Sequence, residues 1–218
     1  MPEAVLLENL WRATVETFYM VGVSAVLATV IGLPLGLLLV ITNAGGVLEN
    51  PSLNQSLGAI VNVGRSLPFI ILLVAIIPLT RLIVGTTIGS TAALVPLTLA
   101  AIPFFARVAE TSLLEVDRGL IEAAQSMGCS YWQIILKVLI PEAFPSLILG
   151  ATIMVISLLN YSAMAGVVGG GGLGDLAIRY GYQRFDTRVM LITVVLLIVL
   201  VQITQFLGDR LAKQLRKR

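Results

Sequence analysis

The sequence predicts an all-α integral membrane protein with five transmembrane helices, and three observations carry that prediction. Hydrophobic residues make up 57% of the 218 and charged residues only 12%, with a mean hydropathy of +0.98, far from the composition of a water-soluble globular domain. Five nearly uncharged runs are each long enough for a hydrocarbon core, which needs about 20 apolar residues at helical rise. The runs are continuously apolar instead of alternating with period two, so they read as helices and not as barrel strands.

The elements follow in order along one membrane domain, 1–218. Met1, Pro2 and Glu3 offer neither a basic leader nor a small-residue cleavage site, so the start does not read as a cleaved signal peptide. Leu6, Leu7, Leu10, Trp11, Thr14 and Phe18 recur at helical spacing and predict an interfacial approach helix with Trp11 at headgroup level. Spans are expected at 17–42, 57–80 (interrupted only by Arg65), 84–108, 141–163 and 188–209. Pro34, Pro78, Pro96 and Pro103 fall inside or at the ends of spans, where a kink is tolerated if the freed carbonyls find other partners. No internal repeat is evident, so a path built from repeats would have to come from two copies of the chain.

Between the third and fourth spans, 107–142 is dense in charge: Glu110, Glu115, Asp117, Arg118, Glu122 and Lys137. Asp117 is placed to cap a short helix whose Leu120, Ile121, Ala124 and Met127 share a face, and Gly128 to end it in the left-handed conformation. Ser130 and Gln133 fit a capping box that opens a second helix toward Pro141. The result is a helix–glycine–helix elbow over 115–133. Placing it in the cytoplasm sets nine cations inside (Arg65, Arg107, Arg118, Lys137, Arg210, Lys213, Arg216, Lys217, Arg218). Five remain outside (Arg12, Arg81, Arg179, Arg184, Arg188), with the N-terminus.

Several function classes are excluded. A net charge of +2 with dispersed cations does not suit nucleic acid. Cys129 is the single cysteine, so no internal disulfide forms, and the absence of histidine removes His-ligated metal sites and His-based acyl transfer. Apart from Arg65 near an end, no span is expected to bury an acid or base, which gives a proton relay no support. Gly169-x-Gly171-x-x-Gly174 satisfies the dinucleotide fingerprint without the strand or the later acid that pattern needs. Gly172-Leu173-Gly174-Asp175 satisfies the pattern of intramembrane aspartyl proteases, the best enzymatic alternative. That chemistry needs a second aspartate within a span, and Asp117, Asp186 and Asp209 all fall at loops or span ends. Ser157, Asn160, Tyr161, Ser162 and Met164, with Met154, put polar and sulfur groups on an otherwise apolar fourth span, a lining suited to a small amphipathic solute. Met154 reads as core packing.

Glu122-Ala123-Ala124, then three residues and Gly128, then nine residues and Val138-Leu139-Ile140-Pro141, resembles the cytoplasmic signature of the permease subunits of binding-protein-dependent ABC importers. Asn160-Tyr161-Ser162-Ala163-Met164-Ala165-Gly166, the glycines 169–172, Arg65-Ser66-Leu67-Pro68-Phe69 and Gly208-Asp209-Arg210 look like the methionine-importer branch, and the similarity covers nearly the whole chain. The resemblance implies the ABC importer permease fold, with the elbow as a coupling helix that docks on an ATPase through Glu122, Ala123, Ala124, Gly128 and Pro141. It also implies a homodimer in a bacterial inner membrane, two ATP-binding subunits that hold ATP-Mg, and a periplasmic or lipid-anchored binding protein. Methionine, another amino acid or a betaine-type osmoprotectant would be the solute. The chain has no Gly-x-x-x-x-Gly-Lys-Ser/Thr loop and no cofactor of its own is expected, so ATP would belong to the partner.

Overall fold

The computed structural model describes residues 3–216, which form helices and turns with no strand among them. Met1 and Pro2, part of the leader reading, and the terminal cations Lys217 and Arg218 lie outside the described residues.

The first helix, α1 (Glu3–Thr42), runs 40 residues, about 60 Å at helical rise. The expected approach helix is therefore not separate. No glycine or proline interrupts the stretch before the span, and Arg12 pairs with Glu16 one turn on at 3.1 Å, so the helix runs straight through. The second span is also corrected. In place of one helix over 57–80 there are three, α2 (Pro51–Ser66), α3 (Phe69–Ala75) and α4 (Ile77–Val84), with 98° between the first two. Pro68 disfavours the helical conformation at Leu67, which is extended (φ −82°, ψ 125°), and the chain restarts as α3 from the Pro68 carbonyl. The third span, expected from 84, begins later as α5 (Ser90–Leu114), because Gly85 ends α4 with φ +81°.

After α5 come α6 (Arg118–Ser126) and α7 (Tyr131–Ile134). A π-helical turn, Ile135–Leu139, joins α7 to α8 (Ile140–Gly166). Then follow α9 (Gly172–Leu176), a second π-helical turn at Ala177–Tyr182, and α10 (Thr187–Leu215). Among the described residues, four stretches are long and apolar enough to cross a membrane: α1, α5, 131–166 and α10. The bent pair of α2 and α3 makes a fifth if counted as one.

Helices α1 and α5 lie side by side in the same direction. Ser24, Ala28, Gly32 and Gly36, spaced four apart, form the buried face of α1, and small residues let two backbones approach where no hydrophobic drive separates helix from lipid. A Cβ on Gly36 would sit 2.5 Å from the Ala106 carbonyl oxygen. One core then joins Met20 and Ala28 of α1, Phe69 and Leu73 of α3, Leu97 and Phe105 of α5, and Met154 and Leu158 of α8. A second, at the elbow end, joins Ile41, Leu113, Val116, Ile135, Leu139 and Leu147. At the opposite end Leu6 and Leu10 pack on Leu173, Leu176 and Val189.

Candidate functional site

The elbow is built from local capping chemistry. Asp117 Oδ1 accepts the Gly119 N–H at 2.7 Å to open α6, and Gly128, at φ +77°, ends it. The Gln133 N–H donates to Ser130 Oγ at 3.4 Å while Gln133 Oε1 accepts the Ser130 N–H at 2.8 Å, a complete capping box. Glu122, Ala123 and Gly128 are exposed, and Glu122 has no ion pair among the described residues. Ala124 is 3% exposed and turns inward, so of the two alanines only Ala123 faces outward. Pro141 is exposed in the first turn of α8. The elbow also carries an apolar surface: Met127 is 77% and Trp132 71% exposed, with Leu120, Tyr131 and Leu136 also exposed. Beneath it Val116, Ile121, Ile135 and Leu139 pack on the ends of α1 and α5. Exposed apolar patches of this kind are a common feature of binding surfaces.

On α8 the structure brings together Ser157, Asn160, Tyr161 and Met164, one stripe at helical spacing. It does not bring Ser162 there. That side chain is 2% exposed and turned into the core, its hydroxyl donating to the Leu159 carbonyl at 2.8 Å. Ser157 donates to the Ile153 carbonyl at 2.9 Å. Asn160 is exposed and its amide has no hydrogen-bond partner among the described residues; the same holds for the half-buried Tyr161 hydroxyl. An amide left unpaired against hydrocarbon is costly. Met164 is 41% exposed on the same side, while Met154 is buried in the core as expected.

Sequence reasoning missed what holds this stripe in place. Tyr161 stacks on Phe69 with ring centroids 4.7 Å apart and planes 10° from parallel. The glycines that follow form a clamped strap. Gly89 N–H donates to the Gly169 carbonyl at 2.9 Å, Gly172 N–H to Glu16 Oε2 at 2.9 Å, and Leu173 N–H to Thr17 Oγ1 at 2.9 Å. Gly171 and Gly172 hold φ near +78° and +77°, and a Cβ on either would meet Glu16 Oε2 or Thr17 Oγ1 at 2.7 Å. An acid four residues after Arg12, at the head of an apolar run, was the one signal for Glu16. Replacing Glu16 with alanine is expected to leave the Gly172 N–H without its acceptor and lower the unfolding temperature by several degrees, with Glu16→Gln largely restoring it. Thermal unfolding in detergent checks this.

The enzymatic alternative needs two aspartates that face each other, and among the described residues each aspartate is engaged elsewhere. Asp175 binds Arg179 at 2.5 Å, while Asp117 and Asp186 cap α6 and α10 and Asp209 accepts from Gln205. The fingerprint glycines lead into a five-residue helix clamped by α1, with no strand before them among the described residues.

Residues 28–217 match the family model described as binding-protein-dependent transport system inner membrane component. The chain belongs to that family. It is 57% identical to the probable D-methionine transport system permease protein MetI of Vibrio cholerae, over 96% of this chain and 93% of the relative. Identity is 45% to the methionine import system permease protein MetP of Bacillus subtilis, over 97% and 96%. A solved structure described as inward facing conformations of the MetNI methionine ABC transporter matches this inner-membrane component with TM-score 0.96 and 50% identity, over 99% of both chains. Membership in an inner-membrane transport family accounts for the apolar spans, and it sets the protease reading aside.

Proposed function

We propose that this chain is the membrane-spanning permease subunit of an ATP-driven methionine importer. Near-complete coverage at high identity by methionine permeases and by the MetNI structure supports the reading over other solutes of the same superfamily. In this reading two copies face each other across their α8 stripes, and Ser157, Asn160, Tyr161 and Met164 of each border the path. The observation that carries it is the unpaired Asn160 amide on a membrane-depth helix, which calls for water, solute or a second copy opposite.

The elbow end lies in the cytoplasm in this proposal and the N-terminus outside, as the excess of cations on the elbow side favours. Each elbow seats in one of two ATP-binding subunits, with Glu122 against a basic residue of the partner, Ala123 allowing close approach, and Met127 and Trp132 in apolar pockets. ATP-Mg is bound and hydrolysed there, not in this chain. Closure of the ATPases draws the elbows together, and since α7, the π-helical turn and α8 are continuous, the motion reaches the path helix without a flexible joint. The path opens outward, a periplasmic or lipid-anchored binding protein delivers the solute, and hydrolysis resets the inward state.

The test is uptake of radiolabelled L-methionine into proteoliposomes that hold this chain with its ATPase and binding protein, competed by amino acids and betaines. ATP-dependent methionine uptake is the expected result; preferred uptake of a betaine would replace the solute, and no uptake of anything by an assembled complex would sink the reading. Within that assay, Asn160→Leu is expected to cut uptake about tenfold or more, because an apolar side chain removes the polar group from the path. Uptake by that variant at the unsubstituted rate would remove Asn160 from the path.

A further inference from the structure

The geometry points to Phe69 as a positioning residue that fixes the Tyr161 ring as a wall of the solute path and thereby sets which side-chain shapes the path accepts. The inference rests on the proposed reading of the α8 stripe as that path.

A tyrosine on the open face of a helix would ordinarily sample several staggered rotamers, and a wall that moves does not discriminate by shape. Here one face of the ring is covered by Phe69, whose ring is nearly parallel with its centroid 4.7 Å away. Phe69 is itself immobilised. It is 6% exposed and packs in the core with Leu73 of its own helix and with α1, α5 and α8. It reaches that place only because the chain turns 98° at Pro68; a straight continuation of α2 would carry the ring elsewhere. The bend, the short helix and the stack together form a rigid backing for one residue of the path.

Two features define the solute such a wall suits. The unpaired Tyr161 hydroxyl and the Asn160 amide next to it offer hydrogen bonds to a polar head, while the ring edge and Met164 offer polarisable apolar contact. A small amino acid with an unbranched, polarisable side chain fits both. A β-branched side chain would press its extra methyl against a ring that cannot swing away.

The experiment uses the complete reconstituted complex and measures competition of uptake by methionine, norleucine, isoleucine and valine. Phe69→Leu keeps apolar volume and removes the stack. It is expected to narrow the preference for unbranched over β-branched competitors two- to tenfold while the ATPase still co-purifies, and Phe69→Tyr, which keeps a ring, is expected to hold the preference. Tyr161→Leu should narrow it similarly, and the double variant should add little further. An unchanged preference in Phe69→Leu, a change in maximal rate alone, or strictly additive effects in the double variant would overturn the inference. If Phe69→Leu fails to assemble, Phe69→Met and Tyr161→Leu form the same cycle. Failure of the unsubstituted complex to import methionine is a separate result that removes the proposed solute, and the cycle is then run on whichever solute it does import.

Discussion

In Glu122→Arg, ATP-dependent uptake is expected to fall below a tenth of the unsubstituted level and the ATPase to be lost on purification, with the membrane helices still folded. Glu122 stands exposed on α6 with no ion pair among the described residues, so its reversal costs nothing inside the chain. Across a docked interface the same reversal replaces an attraction by a like-charge clash, a change of about 2–5 kcal/mol when one member of a desolvated pair is lost. Glu122→Gln, which keeps the hydrogen bond and drops the charge, should fall between the two. Co-purification and circular dichroism of the three proteins check it. Full ATPase retention in Glu122→Arg would mean that the elbow docks through Met127 and Trp132 alone.

A larger structural effect is expected at Gly174, where substitution by valine should abolish accumulation of folded protein. A Cβ there would overlap the backbone of Ala163, and Gly166 opposite is just as crowded against the backbone of Gly174 and Asp175. Backbone atoms within a helix cannot step aside as a side-chain end can, so the strap must lift off α8, taking the Gly172 and Leu173 bonds to α1 with it. The cost is about 3 kcal/mol or more. Gly45→Ala provides the contrast. That glycine also has positive φ, at +74°, but no atom lies within 4 Å of its would-be Cβ, so only the backbone preference of about 1–2 kcal/mol is lost. Size-exclusion profiles and thermal unfolding in detergent should separate the two.

What could be read in advance divides by the range of the forces involved. The elbow was legible to the residue, because Asp117, Gly128, Ser130 and Gln133 act on backbone groups two or three positions away. The bend at Pro68 was not. Hydropathy has no direction, and 69–80 stays apolar whether the chain crosses the membrane or folds back, although the proline itself was in view. Ser162 was misplaced for a simpler reason: at about 100° per residue it stands well away from Asn160 and Met164, and its small hydroxyl finds its own helix instead of the path. The clamp from Glu16 to Gly172 joins residues 156 apart, and no local pattern announces a bond of that span.

The parallel pairing of α1 with α5 also bears on how the protein is made. Gly32 meets Ile102 and Ala106, so the groove on α1 has no occupant until the ribosome has delivered a helix some 70 residues further on. At about 5–20 residues per second that is a wait of roughly 4–14 seconds. In water an unfilled apolar groove would invite aggregation during such an interval; in lipid it is simply covered by acyl chains, at little cost, until a better-fitting surface displaces them. Biogenesis should therefore pass through an inserted but loosely associated first helix. Nascent chains cut before α5 should leave α1 open to degradation by membrane proteases, and chains extended past Leu114 should close that window.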